Sequence, residues 1–146
     1  MKGTILFNMR KTEAGFSLIE LLIVVVIIGV IAALGVPALS KGIRSAENGT
    51  TFATLRTVSS AQAGFFSQNS RFARIAELNV QNKSAFGTTA GDRVIRGKYT
   101  FEMNPVTPTD EELKNEFTMT ATRSVADDTV YKYELTHTGE IVQILP

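Results

Sequence analysis

From Phe16 to Leu39 the chain reads FSLIELLIVVVIIGVIAALGVPAL, in which 19 of 24 residues are apolar and only Glu20 is charged. As a helix rising ~1.5 Å per residue the run reaches about 36 Å, enough to cross a hydrocarbon core of ~30 Å. Two plain accounts offer themselves. A secretory signal has an apolar core of ~7–15 residues, shorter than this one. A simple signal anchor fits the length. Lys2, Arg10 and Lys11 precede the run and Lys41 and Arg44 follow it, and the leader charge favours a cytoplasmic N-terminus.

Glu20 fits neither account. A carboxylate inside a membrane span costs on the order of 2.5–3.5 kcal/mol at the centre and less near an end. A simple anchor has no use for that cost, and no other residue of the run carries a charge to offset it. The compensating charge therefore comes from another chain, from a terminus or from interfacial water, with snorkelling of Glu20 to lipid headgroups as the plainest form of the last.

Ala14-Gly15-Phe16-Ser17-Leu18-Ile19-Glu20-Leu21-Leu22 resembles the prepilin signature of type IV pilins and type II secretion pseudopilins. The resemblance covers roughly residues 10–40: cut site, glutamate, uninterrupted apolar run and proline all agree. It implies that a membrane peptidase cuts after Gly15 and methylates Phe16. It also implies that Glu20 pairs with the free amine of a neighbouring subunit's Phe16 during assembly, and that Pro37 matches the proline common in the anchor. Opposite charges that meet in a low-dielectric bundle neutralise each other, whereas each alone is costly. The leader begins at Met1 or at Met9. Either start gives the same mature chain, Phe16 to Pro146, with 12 basic and 13 acidic residues.

The rest of the composition removes chemistry. With no cysteine there is no disulfide, thiolate nucleophile or Cys-zinc site, and the single histidine, His137, cannot form a cluster. No GxxxxGK[ST] or GxGxxG is present to cradle phosphate. Asp127-Asp128 lacks the spaced oxygen ligands of a calcium loop. No enzyme activity, cofactor or metal is expected. Asn48-Gly49-Thr50 and Asn82-Lys83-Ser84 match the short N-glycosylation pattern.

Three segments follow: a leader over 1–15, a transmembrane and assembly helix over 16–39, and a head over 40–146. Gly29, Gly35, Pro37 and Gly42 weaken helix propensity. A continuous or kinked helix is expected in the monomer, and the resemblance implies local extension around Gly29–Pro37 in a filament. From Ser40 to about Phe66, Phe52, Leu55, Val58, Gln62 and Phe65 step by three or four and predict an amphipathic helix, stopping near Ser67–Ser70. Residues 67–92 read as polar loop with an apolar patch at Phe72, Ile75 and Leu78, and Gly87–Gly91 as an exposed loop. From Arg93 the period shortens to two, through Tyr99/Phe101/Met103, Phe117/Met119/Ala121 and Tyr131/Tyr133/Leu135, with 141–144 as a last strand. Asp110–Leu113 adds a helical turn. The expected fold is α+β: a long N-terminal hydrophobic helix continuing into an amphipathic helix packed on roughly four antiparallel strands.

Charge divides within the head: residues 40–98 carry a net +6 and residues 99–146 a net −6. Differing solvated faces are the plain account. The sharper one has a basic surface of one subunit, with Arg71 and Arg74, meeting an acidic surface of the next, with Glu111, Glu112 and Glu116. DNA is the weakest partner reading, since the basic half lacks a clear ridge of interleaved aromatics.

The resemblance implies a structural subunit of a type IV pilus-like filament, held in the inner membrane as a precursor and polymerising with copies of itself outside it. A major-type pseudopilin of a type II secretion system, building a periplasmic fibre, is the alternative, and a DNA-binding competence pilin comes third. The implied partners are the prepilin peptidase/methyltransferase and the pilus or secretion assembly machinery.

Overall fold

A computed structural model describes residues 15–124 and 130–145, in two compact units divided between Ile43 and Arg44. The leader up to residue 14 and the Asp127-Asp128 pair lie outside the described residues. Helix α1 (Leu18–Asn69) supplies the first unit and enters the second. It stays helical through Gly29, Gly35, Pro37 and Gly42, although Pro37 contributes no N–H to the helical ladder. By length and composition it is apolar enough to cross a membrane, and every residue from 15 to 43 is exposed.

In the second unit, α1 buries Thr51, Thr54, Leu55, Val58, Gln62 and Phe65. Three of these six are polar, and each has its polar atoms occupied. The Thr51 and Thr54 hydroxyls donate to the carbonyls of Glu47 and Thr50, at 3.0 and 2.8 Å. Gln62 donates from Nε2 to the Ala73 carbonyl and accepts from the Ala73 N–H, both at 2.8 Å. Its amide thus holds the returning chain as a neighbouring strand would. The face is rotated slightly from the expected one: Phe52 is only half-buried, with the Arg56 guanidinium 4.8 Å above its ring. Helix α1 ends at Asn69, within the expected stop, and Ser70 turns the chain with φ +55°.

The sheet has six strands where four are expected from the periodicity: β1 (Thr88–Ala90), β2 (Arg93–Arg96), β3 (Tyr99–Met103), β4 (Thr118–Ser124), β5 (Val130–Thr136) and β6 (Ile141–Leu145). All neighbours are antiparallel, and their order in space is their order in sequence. Strands β3 to β6 match the expected ones. The additional pair forms because Gly91 and Gly97, at φ +63° and +60°, supply the positive φ that two-residue hairpin loops need. Residues 67–92 are likewise not all loop: α2 (Ile75–Gln81) buries Ile75 and Leu78, and β1 occupies the glycine-flanked stretch expected to be exposed loop. The expected turn after Pro108 is α3 (Glu112–Asn115), which buries Leu113.

Register places the core. Phe101 pairs with Ala121 and Ala121 with Tyr133; Met103 pairs with Met119, Met119 with Leu135, and Leu135 with Ile141. These inward side chains join Leu55, Val58 and Phe65 of α1, Ile75 and Leu78 of α2 and Leu113 of α3 in one apolar cluster. At roughly 1.5–3 kcal/mol for each fully buried large side chain, this cluster is the main stabilising term of the second unit.

Candidate functional site

Of the expected processing and assembly residues, Gly15, Phe16 and Glu20 lie together at the start of α1. Gly15, Phe16 and Ser17 lie outside the helix and are exposed, Phe16 to 82%. Ser17 is the helix N-cap. Its Oγ accepts from the Ile19 N–H at 3.2 Å, and its carbonyl accepts from the N–H groups of Glu20 and Leu21. Glu20 turns back to accept from the Ser17 N–H through Oε2 at 3.0 Å. Serine and glutamate three positions apart each take up an N–H of the helix start, a variant of the capping box in which the serine hydroxyl accepts from Ile19, one residue before the glutamate. In the single chain, then, the one charge of the apolar run is engaged at the helix start, where it also meets the positive end of the helix dipole.

Ser17 is the residue that sequence reasoning missed. Its signal was present, because a Ser-x-x-Glu spacing ahead of an apolar run is the signature of such a box. Pro37 lies inside α1, seventeen positions beyond Glu20.

The head charges are largely engaged within the chain. Arg71 forms a two-pronged pair with Glu77, from Nη2 to Oε1 at 2.8 Å and from Nη1 to Oε2 at 3.0 Å, and this hydrogen bonding holds its guanidinium above the ordinary arginine value. Arg74 reaches Asp110 at 2.7 Å and donates twice to the Pro108 carbonyl. The Arg74 hydrogen bond in turn draws the Asp110 carboxyl below its ordinary range. Glu112 accepts from the Thr109 N–H at 2.7 Å and the Thr109 hydroxyl at 2.8 Å, which lowers its carboxyl as well. Glu111 pairs with Lys114 at 2.7 Å. Glu116 is exposed and forms no ion pair among the described residues.

A second polar cluster was not legible beforehand. Arg123 is 4% exposed and forms an ion pair with Glu47, whose other oxygen is 3.8 Å from Lys98 Nζ. The Arg123 Nε has no hydrogen-bond partner among the described residues. Beside it the Tyr99 hydroxyl donates to Asn48. Asn48 is thereby engaged in the packing of the head, and Asn82 caps α2 with its Nδ2 on the Leu78 carbonyl at 2.8 Å, so both sequon asparagines have structural work. His137 is exposed at the β5–β6 turn, as its position beside Thr138-Gly139 suggests. Among the described residues no group of three His, Cys, Asp or Glu side chains is placed to hold a metal.

Residues 10–36 match the model of the prokaryotic N-terminal methylation motif. The chain is 36% identical over 87 residues to the type IV major pilin protein PilA of Myxococcus xanthus (strain DK1622), a stretch that covers 60% of this chain and 36% of that relative's length. No solved structure matches the chain.

Proposed function

The methylation motif and the pilin relative support a type IV pilin-family protein, and on that premise we propose that this chain is the structural subunit of a type IV pilus-like filament. The observation that carries the reading is the placement of Glu20: one carboxylate in the first turn of an exposed apolar helix, four residues after the Phe16 of the methylation motif. Before assembly, α1 anchors the precursor in the inner membrane with its N-terminus in the cytoplasm. Cleavage after Gly15 by a prepilin peptidase/methyltransferase frees the Phe16 amine, and the cation then pairs with Glu20 of a neighbouring subunit as the apolar helices bundle. The exposed apolar surface of α1, costly in water, is covered by lipid before assembly and by other copies after it.

The relative is named a major pilin, which favours a pilus over the fibre of a type II secretion system. A salt-sensitive contribution between subunits would come from the basic region around Arg71 and Arg74 facing the acidic region around Glu111, Glu112 and Glu116. DNA binding draws little support, since the basic half lacks a clear ridge of interleaved aromatics.

N-terminal peptide mass analysis of sheared filaments tests the reading. The expected mature terminus is monomethylated Phe16, and a chain still beginning at Met1 or Met9 overturns it.

A further inference from the structure

We infer that Ser17 is a positioning residue for leader removal: its cap stops α1 at Leu18 and leaves the Gly15–Phe16 peptide outside the helix. The inference rests on the processing reading proposed above. An apolar helix tends to propagate into its flanks, because each added residue forms another backbone hydrogen bond once a nucleus exists. The capping box removes that incentive. Of the four N–H groups that a helix start leaves without internal partners, those of Ser17, Ile19 and Glu20 already have acceptors: the Glu20 carboxylate, the Ser17 hydroxyl and the Ser17 carbonyl. Gly15, Phe16 and Ser17 are non-helical and exposed as a result.

That geometry matters for hydrolysis. Water must bond through its oxygen to the Gly15 carbonyl carbon as the carbon–nitrogen bond to Phe16 breaks, with a proton passing to the Phe16 nitrogen. A carbonyl engaged in a helical hydrogen bond and flanked by neighbouring turns resists that approach, whereas a non-helical peptide one residue outside a cap is open to it. Gly15 adds to this openness, since a Cβ built there would meet nothing within 4 Å and the glycine leaves the backbone bare. The same box also holds the Glu20 carboxylate against the N–H of Ser17, immediately beside the position where the new amine forms.

The test is a time course of cleavage of the full precursor, in membrane vesicles containing a prepilin peptidase, read by intact mass. Ser17→Ala is expected to be cut roughly fivefold more slowly, the scale set by loss of a serine cap. Ser17→Thr, which keeps a capping hydroxyl, restores the rate. Cleavage of Ser17→Ala at the unmodified rate overturns the inference, and so does a Ser17→Thr variant as slow as Ser17→Ala. Failure of the unmodified precursor to be cut after Gly15 overturns the processing reading itself, a result distinguishable from either.

Discussion

The Tyr99 hydroxyl donates to the Asn48 side-chain oxygen over 2.6 Å, joining β3 to α1 across 51 positions of sequence. The ring is 2% exposed and lies 6.2 Å from that of Tyr133, so the bond anchors a buried phenol of the core. Tyr99→Phe keeps the ring and leaves the Asn48 oxygen without its donor. The expected loss of stability is about 1 kcal/mol, measured by denaturant unfolding of the chain in detergent.

The same phenol gives the head an alkaline limit. Burial is the largest cause that pushes its pKa up to about 12, and burial raises Tyr133 as well. The folded state therefore favours the neutral phenol. Its stabilising contribution is whole below the unfolded value of about 10 and is withdrawn as pH rises toward the folded value. Unfolding midpoints should fall between about pH 10 and 12, and Tyr99→Phe should make that fall shallower. An unchanged pH profile in the variant contradicts this assignment.

Acid acts through different residues. Asp110 is held low first by its hydrogen bond from Arg74, and Glu112 by the Thr109 N–H. A depressed carboxyl contributes stability that is present above its unfolded value and is lost as pH falls through the folded one. The region around α3 should loosen below about pH 4, detectable as faster amide exchange at Leu113 and Phe72. These two are joined by a hydrogen bond from the Phe72 N–H to the Leu113 carbonyl, at 2.8 Å. Arg74→Met should bring part of that loosening to neutral pH.

Glu47 and Arg123 form the costliest pair to break. Glu47→Ala leaves the buried Arg123 guanidinium without its counter-charge. A fully buried pair costs ~3–5 kcal/mol when one partner is removed, and the solvent access of Glu47 reduces this to about 2 kcal/mol. Replacing both residues with Met and Leu should cost less than the single Glu47→Ala change, and chemical denaturation of the three variants compares them directly.

Glu20→Ala separates anchoring from assembly. It removes the carboxylate while leaving Gly15, Phe16 and the apolar run unchanged, so the precursor should still insert and be cleaved to completion, only more slowly because the Ser17 N–H loses its acceptor. Filament yield, scored by shearing and microscopy, should fall sharply because the neighbour's Phe16 amine loses its counter-charge. A normal yield would sink the pairing role.

The apolar run, the Glu20 anomaly and strands β3 to β6 were legible because each writes a strong hydropathy pattern. Strand β1 has three exposed residues and β2 one buried residue, Val94, so neither carries an alternating signal; glycine-directed hairpins and register make them strands. In the buried face of α1 the sequence pattern is diluted by Thr51, Thr54 and Gln62, whose polarity is neutralised by hydrogen bonds that appear only in three dimensions. The Glu47–Arg123 and Asn48–Tyr99 pairs link positions far apart in the chain, and no local pattern announces them.

The β1-to-β6 meander bears on how this head can be built. When each strand lies beside the one made just before it, no strand waits for a later one, and no loop must thread between others. On the membrane-anchored reading proposed above, a chain that emerges behind its first helix meets that condition at every step. Its six strands can be laid down in the order in which they emerge, each on the fresh edge of the last.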